Sequence, residues 1–192
     1  MVRDRRIGRP AAELGDDGVA LRRWRAGDAG ELYRAVTASL GHLTPWLVFV
    51  SAGYTEQDAV DFVLRCQENW RQGTTFGYAA LGPDGRVIGS FSLIARIGPG
   101  GLEVGYWLHP EHTGGGVGTR AVRLLTEEAF RVGADRVEIV HDLANVRSGA
   151  IPRRLGFVEV ERRPGQGPPL SGESGTDVVW RLTRTRPARG PE

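Results

Sequence analysis

The sequence has one cysteine, Cys66, in 192 residues. A single cysteine excludes an intrachain disulfide and a cysteine-built metal site, and it fits a reducing compartment. Long apolar runs are also missing. The longest near the front, residues 46–50, is far too short to span a bilayer. Residues 1–18 are charged and lack the apolar core of a secretory signal, so a cytoplasmic location is expected. A strong charge imbalance is absent as well. The net charge is +2, and much of the arginine lies near the two ends, at Arg3, Arg5, Arg6, Arg9, Arg184, Arg186 and Arg189. Such arginines solvate tails rather than build a nucleic-acid surface. No internal repeat is visible. What remains is an ordinary globular composition, 40% hydrophobic and 25% charged, enough for one domain with one core.

Against that background one stretch stands out: Thr113-Gly114-Gly115-Gly116-Val117-Gly118-Thr119-Arg120. It lies between an apolar segment at 102–108 and an amphipathic one at 121–132, which predicts strand, glycine turn, helix start. The first backbone N–H groups of a helix have no internal partner, and the macrodipole adds positive charge there. Glycine lets the backbone bend and lets a ligand approach. Such a turn suits a phosphate. No Lys-Ser/Thr pair closes it, so it is not a nucleoside-triphosphate loop. Residues 116–121 do fit the dinucleotide pattern G-x-G-x-x-A, with Glu138 twenty residues beyond Gly118 as a candidate ribose ligand.

The order of elements decides between these readings. Residues 1–18 read as a flexible N-terminal segment, residues 19–183 as the single domain and 184–192 as a disordered tail. A first strand covers 19–25. Asp28 with Glu31 opens a helix that runs through Leu40 and ends at Gly41. Thr55 with Asp58 opens a second, with Ala59, Phe62, Val63, Cys66 and Trp70 at helical spacing and Gly73 as its stop. Cys66 on that stripe reads as core. Three strands follow around 76–80, 86–95 and 102–108, joined by the turns at 82–85 and 98–101, as an antiparallel meander. On the third, Leu102, Val104, Tyr106 and Leu108 share one face, with Glu103, Gly105, Trp107 and His109 opposite. After the glycine turn come a helix to Val132, a strand at 136–141, a helix capped by Asn145, a strand at 157–161, a long loop at 162–176 and a last strand at 177–183. Pro152 falls inside the last helix and should kink it. A dinucleotide domain would place its glycine turn after the first strand and continue as βαβ units. Here the turn follows a meander, which argues against that reading.

This order, with these motifs, resembles the GNAT acetyltransferase superfamily. Gly116 and Gly118 fill two glycine places of the family's acetyl-CoA turn, and Thr113 stands where Arg or Gln is expected. The stretch 103–111 looks like the family's fourth strand and following turn. Asn145, Ser148, Leu155, Gly156 and Phe157 match the pattern N-x-x-S…L-G-F of the branch that contains ribosomal-protein N-terminal acetyltransferases, which residues 43–47 also resemble. The resemblance covers about residues 18–183 and implies an α+β fold: a mixed, mostly antiparallel sheet of about seven strands flanked by about four helices.

It further implies acetyl-CoA as co-substrate, no metal, and direct acetyl transfer to a primary amine. Backbone N–H groups of Gly114, Gly115, Gly116, Val117, Gly118 and Thr119 would hold the pyrophosphate, with Arg120 and Arg147 as compensating cations for Thr113. The backbone of Tyr106, Trp107, Leu108 and His109, with Asn145, would hold the pantetheine arm. For the base, Glu103 is the first expectation and His141 its rival; a neutral imidazole works near pH 7 without tuning. Ser148 is the candidate donor to the departing sulfur. Trp46, Phe49, Trp70 and Trp107 are candidates to line the acceptor site, although core packing is the default for tryptophan. The expected acceptor is a small-molecule amine or amino-acid-like compound, with a protein N-terminus as the alternative and a non-catalytic acyl-CoA-binding module as the third reading. Arg22, Arg23, Arg25, Arg153, Arg154, Arg162 and Arg163 suggest a positive rim suited to an anion beside that amine. A homodimer is an open arrangement; no nucleic acid or membrane is expected as partner.

Overall fold

A computed structural model of the chain describes residues 7–50 and 53–184. Among the described residues, eight strands form one sheet in the order β1-β2-β3-β4-β5-β6-β8-β7. They are β1 (Glu13–Asp16), β2 (Val19–Arg23), β3 (Thr75–Leu81), β4 (Val87–Ile94), β5 (Gly101–Leu108), β6 (Arg136–Asp142), β7 (Val158–Pro164) and β8 (Thr176–Thr183). The helices described beside it are α1 (Ala29–Thr37), α2 (Leu40–Leu43), α3 (Glu56–Gln72), α4 (Val117–Arg131) and α5 (Val146–Arg154). The α+β class, the meander and the element order agree with expectation. None of the helices is long and apolar enough to cross a membrane among the described residues.

Alternation along β5 splits the core into two layers. Leu102, Val104 and Leu108 pack with Ala121, Val122 and Leu125 of α4. Trp107 points the other way and joins Leu32, Val36, Val63 and Cys66 of α1 and α3. Burial pushes the Cys66 thiol up to about 12, as befits a small core residue. The capping box of α3 forms as read: Asp58 N–H donates to Thr55 Oγ1 at 3.2 Å, and Thr55 N–H to Asp58 at 2.7 Å. Gly73 ends the helix in the left-handed region at φ 74°.

Three expectations need correction. The segment before residue 19 is not structureless from residue 7 onwards, and Glu13–Asp16 add an eighth strand. Glu128, buried on α4, accepts from Ala11 N–H at 2.5 Å, and the Tyr78 hydroxyl donates to Ala11 O at 2.8 Å. These partners lie far away in sequence. Residues 1–6 and 185–192 lie outside the described residues. The first helix breaks before Gly41, not at it: Ser39 takes φ −110° and its hydroxyl bonds back to Ala35 O at 2.6 Å, while Gly41 sits inside α2. Strand β7 extends to Pro164, so the connecting loop shortens to 165–175.

Among the described residues one neighbouring pair of strands is parallel, and it is short. Gly101, Leu102 and Glu103 of β5 pair with Arg136, Val137 and Glu138 of β6. Beyond Glu103, β5 stays paired to β4 as far as Leu108. Beyond Glu138, β6 stays paired to β8 as far as Asp142. The two strands part there and open a fork between residues 104–108 and 139–142.

Candidate active site

The glycine turn sits beyond the wide end of the fork. Gly114 and Gly116 both take φ 82°, a conformation that L side chains rarely adopt. Gly116 is the N-cap of α4 and supplies no side chain to its N–H groups. A Cβ at Gly114 or Gly115 would meet nothing within 4 Å. The turn therefore presents helix-start N–H donors to open space, and an anion of pyrophosphate type fits it. Gly118 also has a packing role. A Cβ there would come within 3.2 Å of Ile151 Cδ1 on α5. Its smallness lets α4 and α5 pack closely.

Thr113 spends its hydroxyl on Pro110 O at 2.7 Å. Arg120 folds back, its Nη2 donating to Gly115 O at 3.2 Å, which brings a guanidinium to the turn in place of the missing Arg or Gln. His109 and His112 lie ring to ring at 5.9 Å. Arg147 and His109 both act on His42 of α2. Burial, then these two neighbours, hold the His42 imidazole below its usual range. No motif around His42 announces that α2 lies beside these residues.

Asn145 caps α5, its Oδ1 accepting from Ser148 N–H at 3.1 Å. That places Ser148 in the first turn of α5, beside the fork. Tyr106 reaches it from β5: the phenol oxygen lies 3.1 Å from Ser148 O and 3.0 Å from Ser148 Oγ. Burial pushes the Tyr106 phenol up to about 12, so it stays protonated. Tyr106 was expected to contribute backbone alone. Its hydroxyl supplies a side-chain partner, and no local motif announces it.

Glu103 lies at the last paired position before the strands part, 5% exposed. Both of its oxygens face the Arg96 guanidinium: Nε donates to Oε2 at 2.9 Å and Nη2 to Oε1. Arg96 is itself largely exposed. Each carboxylate oxygen keeps a second lone pair for a water. Glu138, on the same face, is paired with Arg181 at 2.6 Å and Arg136 at 3.6 Å.

His141, the rival candidate for the base, has a partner at each ring nitrogen. Trp180 Nε1 donates to its Nε2 at 2.9 Å, which makes that nitrogen the unprotonated one. Its Nδ1 then carries the hydrogen and donates to Asp142 O at 2.7 Å. A Cβ on Gly149 would fall 2.6 Å from this ring. Both nitrogens are in use, and the imidazole is packed under α5.

On the face of the sheet that carries Glu103, the β7–β8 loop crosses to the far side of the fork. Gly172 N–H donates to Pro45 O at 3.2 Å. A Cβ at Gly172 would be 2.7 Å from Pro45 Cβ and 3.1 Å from Trp46 Cη2. Asp142 holds the other end. Its carboxylate accepts from the N–H groups of Ala144, Ser174, Gly175 and Thr176 and from the Ser174 hydroxyl. Burial works against the charge, but the bonds outweigh it and hold the Asp142 carboxyl below its ordinary value.

Of the four candidate lining residues, Trp46 lies against this strap. Phe49 is 48% exposed and stacks on Phe62 with centroids 6.2 Å apart. Trp107 is buried against α1 and α3. Trp70 is core, edge-on to Phe76 and Tyr78, and is removed from the site. Most of the arginines expected to form a positive rim are engaged by partners of their own. Arg22 pairs with Asp28, Arg25 with Glu13, Arg162 with Glu159 and Arg163 with Glu161, while Arg153 lies over the Trp180 ring. Acids gather instead. Burial raises the Asp177 carboxyl above its usual range; Arg163 opposes this, and Asp142, Glu173 and Glu103 add to it. No group of residues suited to a metal ion is present among the described residues.

Comparison with known proteins agrees with this geometry. The family model described as "Acetyltransferase (GNAT) domain" matches residues 19–158. The putative ribosomal N-acetyltransferase YdaF of Bacillus subtilis (strain 168) is 30% identical over 147 residues, 73% of this chain and 78% of the relative. Among solved structures, the microcin C7 self-immunity acetyltransferase MccE, in complex with acetyl-CoA and AMP, superposes with a TM-score of 0.80 at 20% identity, covering 88% of this chain and 94% of that one. RimL, a ribosomal L7/L12 α-N-protein acetyltransferase bound to coenzyme A, superposes with a TM-score of 0.78 at 20% identity, covering 88% and 95%. With the meander, the forked sheet and the uncapped glycine turn all in place, the chain belongs to the GNAT acetyltransferase family and is an acetyl-CoA-dependent acyltransferase.

Proposed function

We propose that the protein N-acetylates a primary amine carried by a small cationic acceptor, with Glu103 and Ser148 acting on opposite sides of the fork. The observation that carries this reading is the position of Glu103, paired with Arg96 at the point where β5 and β6 part. Acetyl-CoA supplies an activated acyl group on a good leaving group. The chain supplies position and charge.

The turn at 114–119 holds the pyrophosphate, with Arg120 beside it. The open edge of β5 offers backbone groups that β6 no longer pairs, and an amide-rich arm fits such an edge. Asn145 adds its side-chain amide. The acceptor comes from the face under the strap, where Glu103, Asp142, Asp177 and Glu173 favour an ammonium group. Glu103 takes its proton through a water. The free nitrogen then bonds to the acyl carbon, the C–S bond breaks, and the electron pair leaves on sulfur. Ser148 Oγ–H donates to that sulfur as its charge grows. The adduct nitrogen, still carrying two hydrogens and a positive charge, loses one proton to solvent and leaves a neutral amide with one N–H.

A second reading, the N-terminal amine of a basic protein, rests on the same acidic surroundings and on the name of the YdaF relative. An acceptor with an anion beside its amine is less favoured, because most of the arginines that suggested it are paired with carboxylates or stacked on tryptophan. Steady-state kinetics with three probes distinguish these readings: spermidine, glutamate, and a basic N-terminal hexapeptide. The highest kcat/KM is expected for spermidine. A much higher value for the hexapeptide would move the assignment to protein N-termini, and one for glutamate would overturn the charge argument.

A further inference from the structure

A proline in the last helix does more than bend it. In an α-helix the carbonyl of residue i accepts from the N–H of residue i+4. Four residues after Ser148 stands Pro152, which has no N–H. Ser148 O therefore lacks its helical donor. A half-buried carbonyl without a donor is unfavourable, and some other group must serve it. The group within reach is the phenol of Tyr106, 3.1 Å away.

We infer that Tyr106 is a positioning residue for Ser148, and that Pro152 makes it one by freeing the Ser148 carbonyl. The phenol has one hydrogen and two oxygens within reach, Ser148 O at 3.1 Å and Oγ at 3.0 Å. The carbonyl can only accept. With no helical donor it takes the phenol hydrogen. The short contact to Oγ then runs the other way, with Ser148 Oγ–H donating to the phenol oxygen. The serine hydroxyl is thereby oriented. Its hydrogen rests on a neutral phenol, a weak acceptor, and turns to a thiolate, a stronger one, when charge develops there. The Tyr106 ring is fixed in turn by stacking on Phe91, with centroids 5.8 Å apart and planes 20° apart. Phe91, Tyr106 and Ser148 thus tie β4, β5 and α5 together across the open fork. Position 152 reads in isolation as a helix defect; next to Tyr106 it sets which way two hydroxyl hydrogens point.

This inference rests on the reading of Ser148 as the donor to sulfur, and the test separates the two. Five proteins are compared: wild type, Ser148→Ala, Tyr106→Phe, Pro152→Ala and the Tyr106→Phe/Pro152→Ala double variant. The readout is the single-turnover rate of CoA release from bound acetyl-CoA with hydroxylamine as nucleophile, alongside CoA affinity by calorimetry. Hydroxylamine is unprotonated at neutral pH, so Glu103 does not enter. Tyr106→Phe keeps the ring and its stacking. It should slow release by about tenfold with CoA affinity within about twofold. Pro152→Ala restores the helical donor to Ser148 O. In that background the same Tyr106→Phe change should cost threefold or less, because the carbonyl is already served. A purely structural Tyr106 would lose as much in both backgrounds, and that result overturns the link to Pro152. If Ser148→Ala slows release and Tyr106→Phe does not, Tyr106 positions nothing and Ser148 keeps its role. If Ser148→Ala leaves the rate unchanged, the donor assignment itself fails, and the inference falls with it.

Discussion

Gly172 and Pro45 touch across the candidate acceptor cleft, although 127 positions separate them in the chain. Gly172 N–H bonds to Pro45 O, and no Cβ fits at Gly172 without displacing proline or Trp46. Gly172→Val should therefore lift the strap from the α2 segment. The overall fold should persist, since neither contact is in the central sheet. Hydrogen exchange across residues 166–173 should accelerate by about tenfold or more, as local opening loses a latch. Unchanged exchange would mean that the strap is held elsewhere.

At its other end the strap hangs on Asp142, and this gives it a pH dependence. The folded-state pKa of Asp142 is lowered. A lowered carboxyl pKa contributes stability above the unfolded value, near 3.9, and that stability is lost as pH falls through the folded value. Strap protection in hydrogen exchange should thus hold at pH 7 and collapse in acid, below about pH 4. Asp142→Asn keeps the shape and removes the charge. It should show the loosened strap already at pH 7, with little further change on acidification. Protection equal to wild type at pH 7 would contradict the anchoring role.

The glycine turn separates into two kinds of position. Gly115→Val adds a side chain in open space over the anion site. Its thermal stability should match wild type, while CoA binding weakens by about tenfold or more as donors are shielded. Gly118→Val instead meets Ile151 and should cost about 1–3 kcal/mol of stability through overpacking. Calorimetry and thermal melts on both variants check this. The opposite pattern would place Gly118, not Gly115, at the phosphate.

Much of this site was legible in the sequence, because the signals were local. Period-two alternation on β5 separated Glu103 and Trp107 from Leu102 and Val104, and Thr55 with Asp58 and Gly73 bounded α3. Asn145 capped α5 where the motif put it. What escaped reading involves partners distant in sequence. Nothing around Glu128 announces that it holds Ala11. Arg96 looks like a solvated loop arginine until the sheet lays it against Glu103. The arginines at 22, 25, 162 and 163 looked like a rim because their carboxylate partners cannot be seen without geometry. His141 looked like a base for the same reason: its indole partner, Trp180, is 39 residues away.

Glu103 carries the proton-transfer claim. Glu103→Gln retains the shape, and Arg96 is exposed enough to remain solvated, so the fold should hold. Turnover of a protonated amine such as spermidine should fall by about 100-fold. The rate with hydroxylamine, which needs no base, should stay near wild type. Equal losses with both nucleophiles would assign Glu103 to CoA binding or structure.

Release of free CoA thiol from acetyl-CoA, over the panel of spermidine, glutamate and the basic hexapeptide, tests the acetyl-transfer assignment most directly. The chain has no lysine, so it offers acetyl-CoA no side-chain amine of its own, and Cys66 is buried away from both reagent and substrate. Thiol release should therefore depend on the added acceptor. Mass spectrometry should find one acetyl group on the acceptor nitrogen. Tight CoA binding with no amine-dependent release across the panel would contradict the account and leave a module that holds acyl-CoA without turning it over.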